Sequence, residues 1–229
     1  MNSNKTTGRI IGILFITVMV TWVIGFVLIE PVISTKDFLT QIYPNKVKVI
    51  IGVLVETIEI TGVIGIAVML FPILKNYNEN IARAYLSLRI LESVMLIIVA
   101  ISPLLLITLS REYIETGAQD NHSFQILSTL ILSARTNWSH FILAVFYSFA
   151  ALMFYYVLYK TKLVLRFISL WGFISAALIL VVAPFEALGF EKVGLAGISM
   201  GLNELFLGVW LIIKGFRRPV IVSGFVNKK

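Results

Sequence analysis

Two charged residues interrupt one long apolar run, Arg89 and Glu92 in Arg89-Ile-Leu-Glu92, within residues 84–109. A spacing of three puts both side chains on one helical face, where they can pair. A charge at membrane depth costs several kcal/mol even by the lower estimates, so it is seldom accidental. Three more carboxylates, Glu56, Glu59 and Glu204, sit in similar runs, and Asn203 precedes the last of them. Buried carboxylates of this kind can hold protons, meet a cation, or act as polar glue between helices. His140 adds a second chemistry, since a histidine beside Glu56 or Glu59 could serve an intramembrane enzyme. A zinc hydrolase, however, needs three protein ligands at recognisable spacing, and no His-Glu-x-x-His occurs. No metal site is expected, and His122 is read as a solvated loop residue. No Gly-rich phosphate loop, nucleophile elbow or dinucleotide fingerprint is present, so no cofactor is expected.

The elements that must position these groups follow from composition. Of 229 residues, 59% are hydrophobic and 14% charged, and the mean hydropathy is +0.94. A soluble domain carries about 25% charged residues. The expectation is a single all-α membrane domain over residues 1–229, with the lipid bilayer as its main partner. Six spans are predicted at about residues 10–29, 49–74, 84–109, 138–159, 167–185 and 194–213. Twenty residues rise ~30 Å, the thickness of the hydrocarbon core. The first run lacks the short apolar core and cleavage site of a signal peptide and is read as a retained helix. Glu30-Pro31 is expected to end it. Pro103 should bend the third span, with neighbouring helices covering the carbonyl it frees. Residues 124–132 are apolar but too short to cross, so they form either an interfacial helix or an extension of the fourth span.

The net charge of +7 resides in short loops and at the two ends. That is where topology signals lie, and nucleic acid is not an expected partner. With six spans, twelve Lys and Arg residues fall on the side of the termini and six on the other, Arg135 being counted among the six. The positive-inside tendency then puts both termini in the cytoplasm, with Trp138 at the outer and Trp210 at the inner interface. There is no cysteine, which excludes disulfides and thiol chemistry. Two Asn-x-Ser triplets, at Asn121 and Asn137, are discounted as glycosylation sites.

Helix rise then gives depths: Glu56 and Glu59 about 10 and 15 Å from the outer surface, Arg89 and Glu92 about 7 and 12 Å from the inner, and Glu204 about 15 Å deep. Four carboxylates against Arg89 leave a surplus of three negative charges. Such a surplus is protonated, solvated in a cavity, or met by a cationic ligand. The readings that remain open are a small-molecule or proton-coupled binding or transport protein, a structural or regulatory subunit, and an enzyme using His140 with a carboxylate.

The third span, Ala82-Arg83-Ala84-Tyr85-Leu86-Ser87-Leu88-Arg89-Ile90-Leu91-Glu92, resembles the R-x-x-E helix of the bacterial DUF4386 membrane proteins. Gly201-Leu202-Asn203-Glu204-Leu205 through Trp210 to Phe216 is similar to that family's closing helix, and Gly8-Arg9-Ile10-Ile11-Gly12 and Trp171-Gly172 also fit. The resemblance implies a multi-pass protein of the bacterial inner membrane and no assigned activity. Arg89, Glu92 and Glu204 are the positions that carry over.

Overall fold

The computed structural model describes residues 3–117, 121–188, 190 and 195–217. Every element in them is helical: α1 (Ser3–Ile33), α2 (Phe38–Gln41), α3 (Lys46–Lys75), α4 (Glu79–Glu115), α5 (Asn121–Ser133), a π turn (Ala134–Trp138), α6 (Ser139–Thr161), α7 (Arg166–Ala187) and α8 (Leu195–Lys214). Six helices are long and apolar enough to cross a membrane, α5, the π turn and α6 together making one of them. The chain is therefore an all-α, multi-pass membrane bundle.

Each spanning helix packs on the next in chain order, and α8 returns to α1, so the six close into a ring. Apolar side chains such as Val27, Leu54, Val181 and Ile198 point outward, where they contact lipid. The ring is filled rather than hollow. Its core includes Phe15, Leu70, Tyr85, Phe154, Tyr155 and Leu207. The closure between α1 and α8 depends on bare glycine. A Cβ on Gly12 would lie 2.6 Å from the Gly208 carbonyl oxygen, and membrane helices approach this closely only through small residues. Gly8 meets Gly215 in the same way, so the two ends of the ring are distinct: a terminal end and a far end.

The helices overrun several expected boundaries. α1 continues past Glu30-Pro31 to Ile33. A proline in the last turn forfeits one backbone bond, while Val32 and Ile33 gain burial against Ile29, Ile42, Val49 and Leu106. At the same end Ser110 joins α4 to the α2 loop, accepting from the Tyr43 backbone N–H at 3.0 Å and donating to the Leu39 carbonyl.

The largest difference lies between the third and fourth spans. What reads as a long loop over residues 110–137 is mostly helix: α4 runs to Glu115, and α5 feeds through the π turn into α6. At 37 residues, α4 is ~55 Å long and must project beyond the bilayer. α5 runs back beside it, with the Tyr113 and Phe124 rings edge-to-face at 5.4 Å. Residues 124–132 are thus an extension of the fourth span. Gly117, at φ +64°, takes the left-handed conformation that closes a helix C-terminus. Glu191, Lys192, Val193, Gly194 and the basic tail from Arg218 onward lie outside the described residues.

Candidate functional site

Proline at position 103 sets up the first half of the site. Pro103 has no N–H, so the Val99 carbonyl one turn back loses its helical donor. Arg135 supplies the replacement. Its Nη1 donates to the Val99 oxygen at 2.6 Å, and its Nη2 donates to Glu56 Oε1 at 2.7 Å. One guanidinium therefore ties α4 to α3 from the fourth span. A π turn accommodates an extra residue and re-aims the faces on either side of it; here Arg135 is buried while Trp138 is exposed. Glu56 itself fits because its Cγ lies 3.0 Å from where Gly25 of α1 would carry a Cβ. This corrects the charge assignment: Arg135 is a core cation and not a loop charge.

Arg89 and Glu92 form the second half. Arg89 Nη1 donates to both Glu92 oxygens, at 3.0 and 2.8 Å, and the two side chains are 7% and 5% exposed. The i,i+3 pair read from spacing is thus made. The guanidinium lies 5.8 Å from the Tyr147 ring centroid, and Tyr147 Oη donates to Glu204 Oε1 at 2.8 Å. Arg89, Tyr147 and Glu204, from α4, α6 and α8, line a small cavity with Tyr85, Tyr155 and Ala151.

Between the halves lies Glu59, which is buried. It is within electrostatic reach of Glu56, Glu92 and Arg135, and Glu92 is within reach of Glu204. The four carboxylates are therefore each within electrostatic reach of the next, in the order Glu56, Glu59, Glu92, Glu204. Two guanidiniums now stand against four carboxylates, which reduces the surplus from three to two. Glu92 and Glu56 have the cations. Glu59 and Glu204 have no ion pair among the described residues.

Two other expected site residues lie elsewhere. Asn203 is fully buried, and its Nδ2 donates to the Ile168 carbonyl at 2.9 Å. It thus fastens α8 to α7, while Glu204, one residue on, turns to α6. His140 lines a separate cavity of about 100 Å³ with Thr136, Asn137 and Glu186, between α6 and α7. Glu56 is engaged by Arg135 rather than by His140. Among the described residues no group of three His, Asp or Glu side chains is placed to hold a metal ion.

Arg135 is the site residue that sequence reasoning missed. Two signals pointed to it. Pro103 left a carbonyl needing a donor, and residues 121–137 contain neither Gly nor Pro to stop a helix.

Ring closure, lipid-facing apolar surfaces and an ionisable interior define a polytopic α-helical membrane protein. Within that class, the family model for a domain of unknown function, DUF4386, matches residues 10–215, and the chain belongs to that family. Searches of curated proteins and of solved structures returned no match.

Proposed function

We propose that this protein binds protons within the membrane, and that Glu59 and Glu204 are the groups that take them up and release them in small-molecule binding or transport. One observation carries the reading: among the described residues two interior carboxylates make no ion pair, although Arg89 and Arg135 are matched to Glu92 and Glu56. An ionised carboxylate without a cation in a membrane interior is costly by several kcal/mol, and a proton removes that cost. Uptake at Glu59 also relieves its repulsion with Glu56 and Glu92. The series Glu204, Glu92, Glu59, Glu56 would carry charge changes across the middle of the bundle, from α8 to α3. Both termini face the cytoplasm in this reading, on the Lys and Arg distribution. That distribution becomes more one-sided once Arg135 is counted as interior.

Infrared difference spectroscopy on the protein in lipid, through a pH step, tests the proposal. The wild type should show the carbonyl stretch of protonated carboxylic acids, with separate components lost in Glu59→Gln and Glu204→Gln. No protonated-acid band, or a band unchanged in both variants, would overturn the reading and leave a bound cation as the neutralising partner. A structural role for the interior pairs is the second reading. It is favoured by the way Arg135 ties α3 to α4 across Pro103.

A further inference from the structure

Two residues that line the small cavity beside Glu204 each carry a buried donor with no acceptor among the described residues. Arg89 Nε and Tyr155 Oη are fully covered and make no hydrogen bond among the described residues, and their residues are 6% and 1% exposed. Both line the cavity. Neither side chain is free to seek a partner elsewhere. Arg89 is held through Nη1 by Glu92. The Tyr155 ring is pressed on Gly172, where an added Cβ would come within 2.3 Å of it. An unsatisfied buried donor costs about 1–3 kcal/mol, so two on residues that line one cavity need an explanation.

The cavity volume is about 10 Å³, at the lower limit of ~10–15 Å³ for holding one water. Glu204 supplies the acceptor. Its Oε1 accepts a hydrogen bond from the Tyr147 hydroxyl, and Oε2 has no donor among the described residues. We infer that this cavity binds a single internal water molecule, which accepts from Arg89 Nε–H and Tyr155 Oη–H and donates to Glu204. A water has two acceptor and two donor positions, so this set uses three of the four. A bare cation is disfavoured by the Arg89 guanidinium in the lining, and an anion by the Glu204 carboxylate. The water connects Glu204 on α8 to the Arg89–Glu92 pair on α4. The site stands on the geometry of its two donors and does not depend on Glu59; the water donates to Glu204 in its ionised form.

A high-resolution experimental structure in lipid tests it directly. One solvent peak is expected within ~2.7–3.2 Å of both Arg89 Nε and Tyr155 Oη, and it should vanish in Ala151→Val, whose added methyl groups fill the space. A collapsed cavity with Arg89 Nε donating to a protein oxygen would overturn the inference, as would a peak that persists in Ala151→Val. An infrared measurement on the wild type needs no variant to fold. A tightly held O–H stretch should shift in H₂¹⁸O, and its absence would also refute the site. The Glu59→Gln variant should keep the water while losing its protonated-acid component, so the two proposals can fail separately.

Discussion

The exchange between Pro103 and Arg135 makes a sharp prediction. The Val99 carbonyl accepts from Arg135 Nη1 only because residue 103 cannot donate to it. Replacing Pro103 with Ala restores a backbone N–H one turn away and makes the guanidinium's help at that carbonyl redundant. Arg135→Leu alone strips Glu56 of its cation and leaves the carbonyl bare; breaking a buried pair costs about 3–5 kcal/mol. Arg135→Leu in a Glu56→Leu background removes the charge problem and isolates the carbonyl. The remaining loss should be about 1–2 kcal/mol, the range for an unsatisfied group or a strong interhelical bond in a membrane. Adding Pro103→Ala to that double variant should recover most of it. The assay is reversible unfolding in mixed micelles of Glu56→Leu alone, with Pro103→Ala, with Arg135→Leu, and with both. A coupling below ~0.5 kcal/mol between positions 103 and 135 would mean the two act independently. That outcome would refute the claim that proline placement recruits the arginine.

Three further outcomes are expected. Arg89→Leu should destabilise the bundle by ~3–5 kcal/mol, whereas the paired Arg89→Leu, Glu92→Leu change should be close to neutral in thermal melts, because no lone charge is left behind. Gly12→Ala sets a Cβ 2.6 Å from the Gly208 oxygen, where backbone must move, and should cost ~1–3 kcal/mol; Gly197→Ala, with nothing within 4 Å, should leave the same melting curve unchanged. Because the chain has no cysteine, single cysteines report topology cleanly. In intact cells a membrane-impermeant maleimide should label Thr116→Cys and spare Asn76→Cys, and the reverse pattern would invert the proposed orientation.

The parts of this fold that were legible depend on one-dimensional quantities. Length and apolarity are enough to count six spans, because a bilayer demands ~20 apolar residues per helix whatever their neighbours. The Arg89–Glu92 contact was legible too, since it is local to one helix turn. Contacts between helices were not, and Arg135 shows why. Its role follows from the relative rotation of two helices, which a π turn resets, and a charge near a predicted span boundary reads equally well as a loop residue. Glu204 and Asn203 make the same point at closer range. Both looked like site residues, yet a step of one residue turns a helix by about 100°, sending one to Tyr147 and the other to Ile168.

Placing Arg135 changes what the interior has to explain. With one arginine against four carboxylates, three acids needed a proton, a water or a ligand, and only Glu92 had a cation within one helix turn. With two, Glu56 and Glu92 have direct guanidinium partners, and the question narrows to Glu59 and Glu204. These two differ in surroundings. Glu204 faces a cavity of one-water size and accepts from a tyrosine. Glu59 is within electrostatic reach of two acids, Glu56 and Glu92, and of Arg135. A change in Glu56–Arg135 pairing therefore acts first on Glu59. Since Arg135 is also fixed to the backbone of α4 beside Pro103, a shift of α4 against α3 would alter the field at Glu59 without any group having to cross the bundle.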